Sequence, residues 1–554
     1  MLPPTSIKAI AVAASSSLPQ RRLLRLFFSL LALPILLFLV WPFLHPRQSL
    51  PPLHGVPLDR VRALWTDDDF ECLAWRAVDG CDPVASPRLP AQDLGCNATI
   101  TKGMAGYCEL RNQTSGEIFR VMASGCKSVR NLVTYTCNMA RMFTDFSIHA
   151  AAAASSDDSP PLALAHDNSR GIVLSIYDTM LPSVYAIVHL LRRRHGCILP
   201  IELFYLADET NTSSPILTSL RADFDVELRE ITSPQERFET KTYAVFHSRF
   251  DQVLFLDCDN FPTRDPTYLF DSPAYLETGA VFWPDYWTHA TSIFDMNRQS
   301  LLWQLVDMAP FGRFEQESAQ LLIDRRRAAR ALPQLRFYNR HLSSTSPLGA
   351  LKFLYGDKDM WRLAWHNTST PFMMVETPPA IGGTYDGWLF CGLAMLQHDP
   401  DMPGHIAFVH SNAVKLTGDL DQTPVLTHVQ TYAVAADPTL DWYALRNEGK
   451  FLFDTPSCWA LNWQAPATIT SVDNTVVGDL ELQALRLAND AARLGRLDRH
   501  TASGQSALAR LHDLAGVYFG WCLALVIVGV VVLVNKVYRD RERRRYHAVK
   551  QLAP

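Results

Sequence analysis

Apolar residues follow different rhythms in different parts of the chain. At 26–44 and 514–534 they form nearly unbroken runs, each close to the roughly 20 residues needed to cross a bilayer. Lys8, Arg21, Arg22 and Arg25 precede the first run, and Lys536, Arg539, Arg541, Arg543, Arg544 and Arg545 follow the second. Basic flanks stay cytoplasmic, so the pattern predicts a transmembrane signal anchor at 26–44 and a second transmembrane helix at 514–534. Both tails, 1–25 and 535–554, are then cytosolic, and everything between the spans is lumenal. The alternative of a cleaved signal peptide fits less well, because WPFLHPRQ follows rather than a small-residue cleavage site.

Between the spans the rhythm is that of alternating strands and helices. GIVLSIY (171–177), PIELFYLA (200–207) and QVLFLD (252–257) read as buried strands. PSVYAIVHLLRRRH (182–195), with Val184, Ile187, Val188 and Leu191 on one face, and TYAVFHSRF (242–250) read as helices. This predicts an α/β domain with a Rossmann-like, mostly parallel sheet over 168–465, its ligand lying at the carboxyl ends of the strands. Leu480, Ala484, Leu487, Ala491 and Leu494 share one helical face, which predicts a helical spacer within 466–513. The alanine- and proline-rich stretch 149–167 has a linker's composition.

Cysteine usage and charge narrow the class. Cys72, Cys81, Cys96, Cys108, Cys126 and Cys137 cluster within 45–148 and form no C-x-x-C pair, so a disulfide-stapled module is expected there rather than zinc. Their pairing is open. N-x-[ST] tripeptides begin at Asn97, Asn112, Asn211 and Asn367, as suits a lumenal chain. Over 554 residues the net charge is −5 and the pI about 6.4, which argues against nucleic acid as a partner.

Candidate chemistry centres on DQVLFLDCDN (251–260), where a strand runs into Asp257 and Asp259. Carboxylates one residue apart at a strand end point the same way and can share a divalent cation, which in turn can hold a diphosphate. Lys241 and Lys415 are candidate phosphate contacts. Trp283, Asp285 and Trp287 combine aromatic faces with a hydrogen-bonding carboxylate, as an acceptor sugar needs. Glu317 and Gln320 in ESAQLLID share a face if that segment is helical, and are substrate-binding candidates. Asp357 and Asp359, flanking Lys358 in GDKDMW, are catalytic candidates, against the plainer reading of a surface turn with a local ion pair. The arginines of DRRRAAR (324–330) read as a solvated helix face without a role.

The ordered blocks DQVLFLDCDN, TGAVFWPDYW, ESAQLLID, GDKDMW, GWLFCGLAMLQHDP and FVHSNAVKL resemble those of the fungal-type Golgi α-mannosyltransferases of glycosyltransferase family 71, over about 171–416. The resemblance implies a GT-A fold, GDP-mannose as donor, Mn2+ or another divalent cation, and retention at the anomeric carbon. It also implies His410 as third metal ligand beside Asp257 and Asp259. The expected protein is a membrane-embedded Golgi enzyme, with the endoplasmic reticulum fitting the topology equally. It transfers α-1,2- or α-1,3-mannose to a mannosylated glycan or glycoprotein. No nucleophile is identified, and a same-face mechanism resting on stabilisation of the leaving diphosphate is favoured. A UDP-sugar transferase and a catalytically silent membrane-anchored lectin or scaffold are the alternatives.

Overall fold

A computed structural model describes residues 69–155, 168–232, 239–448 and 458–499. Its first part is an antiparallel sheet of β1 (Phe70–Ala77), β2 (Gly106–Asn112) and β3 (Ile118–Ser124). Disulfides Cys72–Cys96, Cys81–Cys126 and Cys108–Cys137 staple this small sheet and its loops, as expected where few residues are available for a core. Helix α1 (Met142–Ser155) follows. It runs through the first half of the expected linker, because HAAAAAS is rich in alanine, the best helix former.

The module is not a separate bead. Phe146 of α1 stacks on Tyr338 with ring centroids 6.0 Å apart, and Gln304 bonds both the N–H and the C=O of Ala123 at 2.9 and 2.6 Å. Phe70, Trp75 and Phe143 belong to the same hydrophobic cluster as Phe255, Phe282 and Trp361.

From Arg170 the expected alternation appears: β4 (Arg170–Ile176), α2 (Leu181–His189), β5 (Ile201–Tyr205), α3 (Pro215–Phe224), β6 (Val226–Glu230), α4 (Thr240–His247) and β7 (Gln252–Leu256). The four strands are parallel in the order β6-β5-β4-β7. Ile172, Val173 and Leu174 are all fully buried, since helices cover both faces of such a sheet.

The second half departs from a mostly parallel sheet. After β8 (Asn260–Pro262) come β9 (Ala280–Thr288), β10 (Phe314–Asp324), α5 (Ala331–Leu342), α6 (Met360–Asn367) and β11 (Met373–Met374). β10 inserts antiparallel between β7 and β9, giving a mixed seven-stranded sheet in the order β11-β9-β10-β7-β4-β5-β6. ESAQLLID is therefore a strand, not a helix. Every residue of β10 except Asp324 is buried, so the polar alternation that marks a half-exposed strand is absent.

A second sheet, wholly antiparallel, comprises β8 with β12 (Ala380–Tyr385), β13 (Phe390–His398), β14 (Ile406–His410), β15 (His428–Tyr432), β16 (Leu445–Asn447), β17 (Trp459–Leu461) and β18 (Ala467–Ser471). A fourth disulfide, Cys391–Cys458, ties β13 to the start of β17. β18 pairs with β15, and α7 (Leu480–Arg499) packs on α2, burying Leu480, Ala484, Ala488 and Ala491. α7 falls within the 466–513 segment and is packed on the domain. Glu481 fixes α7 further by accepting from the N–H groups of Val425 and Leu426.

Arg325 corrects the reading of its run as solvated. It is fully buried and donates to the carbonyls of Phe246, Ser248 and Phe250 at 2.5–2.7 Å, satisfying the C-terminal end of α4. Among the described residues no helix is long and apolar enough to cross a membrane. Both apolar runs, at 26–44 and 514–534, and both tails lie outside the described residues.

The four glycosylation tripeptides differ in access. Asn97 and Asn211 are exposed, whereas Asn112 is buried and its Oδ1 accepts from the N–H groups of Thr114 and Ser115. Glycopeptide mapping of chain made in a secretory host is expected to find glycan at Asn97 and Asn211 and none at Asn112.

Candidate functional site

The site begins where β7 ends. Asp257 continues the ladder by donating its N–H to Ala319 O at 2.8 Å. The chain then turns, and the Asn260 amide closes that turn on Ala319 O (2.9 Å) and Gln320 Oε1 (2.7 Å). Cys258, between the carboxylates, points into the protein and donates Sγ–H to Ser175 O at 2.7 Å. Asp257 and Asp259 are thereby left facing one cleft.

The second sheet brings the third ligand candidate. Asn260 of β8 is the register partner of His410 on β14, and Ser411 N donates to Asp259 O at 2.9 Å. His410 Nε2 lies 3.4 Å from Asp259 Oδ1. Ligand atoms of Asp257, Asp259 and His410 all fall within 4.8 Å of one another. Burial pushes the His410 pKa down, against the pull of Glu317 and Asp257, so the imidazole is held neutral. Its Nδ1 is buried without a hydrogen-bond partner among the described residues. Two carboxylates and a neutral imidazole are donors that fit Mn2+ or a related divalent cation.

Two lysines sit against these groups. Lys241, on α4, donates to Asp257 Oδ2 (3.1 Å) and to Ser318 O and Oγ (2.9 and 3.0 Å), and lies 3.6 Å from Asp357. Burial works against its charge, but Asp257, Asp357 and Glu317 outweigh it and raise its pKa. Lys241 thus orients Asp257. Lys415, in contact with Asp259 and partly exposed, is lowered by burial.

Lys358 is the residue that sequence reasoning missed. Its ammonium lies between Asp285 Oδ2 at 2.8 Å and Glu317 Oε2 at 2.7 Å. Burial would raise Glu317, yet the Lys358 ammonium, helped by Lys241, holds it down at about 2. Asp285, whose burial is countered mainly by the same lysine, is raised. A lysine flanked by aspartates was visible in GDKDMW, but its carboxylate partners are on β9 and β10, far away in sequence.

The cleft, about 920 Å3, is lined by Asp257, Asp259, Glu317, Asp357, Lys358, His410, Asn412 and Lys415 on one side. Tyr177, Asp178, Thr179, Asp208 and Glu209 line the other, beyond the carboxyl ends of β4 and β5. Asp357 is fixed by Trp361 Nε1 (2.8 Å) and Ser318 Oγ (3.2 Å).

Other sequence candidates lie elsewhere. Trp283 is fully buried, donates Nε1–H to His398 O at 2.8 Å and packs edge-on against Phe408, so it is core and does not meet a sugar. Trp287 is also buried, against Trp459. Gln320 is fully buried and braces the Asn260 turn; three residues from Glu317 in a strand, it cannot share that residue's face. Asp359 is buried outside the cleft wall, accepting from Gln316 N and Arg362 Nε. Asp285 stands behind Lys358 rather than at the surface of the cleft.

Replacing Lys358 by Met leaves two buried carboxylates without their shared cation, at an expected cost of about 3–5 kcal/mol near neutral pH. Glu317 has a lowered folded-state pKa, so its favourable contribution is full above the ordinary 4.5 and fades as pH falls towards about 2. In Lys358→Met, protonation relieves the stranded charge, so the deficit should shrink from pH 7 to pH 4. Urea midpoints of both proteins across that range measure it.

Residues 169–399 match the model of the mannosyltransferase family Mannosyl_trans3. The α-1,2-mannosyltransferase MNN2 of Candida albicans is 35% identical over 111 residues, covering 18% of this chain and 18% of that protein. MNN2 of Saccharomyces cerevisiae is 28% identical over 195 residues, covering 29% and 32%. The chain therefore spans no more than 32% of the length of these two relatives. Similar solved structures include the bifunctional glycosyltransferase WbbM (16% identity, 38% of this chain and 39% of that one, TM-score 0.27). The galactosyltransferase LgtC is another, at 17% identity, 37% and 73% coverage and TM-score 0.26. The similarity to fungal α-mannosyltransferases read in the motifs is thus shown, and the stretch that matches the mannosyltransferase model, 169–399, supplies Lys241, Asp257, Asp259, Glu317 and Asp357.

Proposed function

We propose that the chain is a metal-dependent, retaining GT-A α-mannosyltransferase that transfers mannose from GDP-mannose to a mannosylated glycan. The observation that carries this reading is the convergence of Asp257, Asp259 and His410 on one wall of a cleft beyond the carboxyl ends of parallel strands. The α-1,2 linkage is proposed from the names of the relatives. Lumenal Golgi placement is supported by four disulfides, which persist in oxidising compartments, and by the basic flanks of the two apolar runs.

Asp257, Asp259 and His410 would hold the cation, which when bound neutralises charge on the departing diphosphate. Lys241 keeps Asp257 aimed. Lys415, at the mouth of the cleft, offers a second positive charge to the phosphates. Glu317, ionised on the wall, opposes the positive charge that develops at the anomeric carbon, and Lys358 with Asp285 fixes its position. Asp357 aligns Lys241 and Ser318.

The test is nucleotide-sugar hydrolysis by the purified full chain, with Mn2+ titrated against GDP-mannose, UDP-glucose and UDP-galactose. Turnover of GDP-mannose that needs the metal is expected. Asp259→Ala should lower it by more than about 100-fold, beyond the loss seen when only an outer-shell partner of a metal ligand is removed. Turnover of a UDP-sugar alone would reject the mannosyl donor, and a folded chain that processes none would reject the enzyme.

A further inference from the structure

Among the described residues, three tryptophans in loops of the antiparallel sheet are exposed: Trp388 at 86%, Trp463 at 67% and Trp442 at 54%. The topology brings them to one end of it. β13 and β17 run antiparallel through the Gly392–Trp459 bridge. Trp388, two residues before β13 begins, and Trp463, two residues after β17 ends, therefore emerge on the same side. Leu445 of β16 pairs with Leu461, and Asn462 N donates to Ala444 O at 2.8 Å, which carries Trp442 to that end too. The neighbours Phe390, Tyr443 and Leu461 belong to one hydrophobic cluster beneath them.

The backbone that carries Trp388 and Trp442 is fixed, and the ring of Trp463 is covered on one face. Asp386 accepts from the N–H groups of Trp388 and Leu389, both at 2.8 Å, across a turn whose Gly387 has φ +98°. Asp437 accepts from Trp442 N, the Tyr432 hydroxyl and Thr439 Oγ1. The Arg446 guanidinium covers one face of Trp463 at 3.6 Å and is itself paired with Glu448. A fixed backbone, and for Trp463 a fixed ring, reduces the freedom lost when a ligand stacks there.

The same sheet also lines a second cavity beside the cleft. This cavity, of about 310 Å3, is lined by Tyr286, Leu393, Asn412, Ala413 and Trp459. Asn412 lines the main cleft as well, and Trp459 begins the strand that leads to Trp463. From these observations we infer that Trp388, Trp442 and Trp463, reached from the cleft through the Trp459 cavity, bind a neutral oligosaccharide: the already-built part of the acceptor, whose terminal sugar enters the cleft. A pyranose presents a flat C–H face to an indole and hydroxyls to polar neighbours, here the exposed Asp441 and Gln464 next to Trp442 and Trp463 in the chain. Arg446 is already paired with Glu448, and Asp386, Asp437 and Asp441 stand close by in the chain, which disfavours an anionic ligand. The inference rests on the glycosyltransferase reading above.

The experiment uses the full chain and its Trp388→Ala/Trp463→Ala and Trp442→Ala variants, with a mannose disaccharide and a long neutral mannose oligosaccharide as acceptors. The double variant is expected to raise KM for the long acceptor roughly tenfold, as the loss of two stacking contacts implies. KM for the disaccharide and metal-dependent GDP-mannose hydrolysis should stay unchanged. Trp388→Tyr/Trp463→Tyr, which keeps the rings, should restore most of the long-acceptor KM. Unchanged long-acceptor KM with intact donor hydrolysis overturns the surface and leaves the transferase reading standing. If the wild-type chain turns over no donor, calorimetry with the long oligosaccharide decides instead. Binding lost in the double variant upholds the surface, and equal or absent binding overturns it, including the case in which the tryptophans serve a protein partner.

Discussion

Four carboxylates, Asp257, Asp285, Glu317 and Asp357, gather in and behind one wall of the cleft, and two lysines make that concentration of charge tenable. Lys241 serves Asp257 and Asp357, and Lys358 serves Asp285 and Glu317. Burial alone would drive the acids to hold their protons and the lysines to release theirs. Instead both lysines are raised, because the carboxylates around each outweigh its desolvation. The geometry of the site follows from this mutual neutralisation. Each side chain is fixed by a partner whose loss strands a charge.

Such a cluster requires backbones from distant parts of the chain to meet within a few ångströms. β10 is the element that arranges it. By inserting antiparallel between β7 and β9 it places Glu317 and Ser318 beside the carboxyl end of the parallel half-sheet, where Asp257 emerges. β8 then leaves the DCDN turn and joins the second sheet, and its pairing with β14 sets His410 next to Asp259. The metal-ligand candidates thus lie at the junction of two sheets. α4, which supplies Lys241, is anchored from below by the buried Arg325 guanidinium on its terminal carbonyls.

The same junction explains why the flanking parts belong to the domain. The cysteine-stapled sheet and α1 share a hydrophobic cluster with β7, β9 and α6, through Phe70, Phe255, Phe282 and Trp361. β18 and α7 close the far side of the second sheet and of α2. Composition pointed to a linker where α1 ends because alanine-rich stretches look alike whether or not a neighbour covers them. Only the neighbour decides.

What the sequence determined by itself was local. The alternation of β4, α2, β5, α4 and β7, the apolar face of α7, and two carboxylates at a strand end are set by side-chain periodicity within a few residues. The order of motifs was enough to place the chain near its relatives. Tertiary structure decided what depends on contact at long range. β10 was unreadable as a strand because burial on both faces erases alternation. Trp283, Gln320 and Asp359 have the residue types of a binding site and sit in the interior. Lys358, set in an unremarkable run of charges, became the shared counter-ion of Asp285 and Glu317. Coulombic and hydrogen-bond partners act through space over a few ångströms, and nothing in the order of residues along a chain encodes that distance until the sheets have closed.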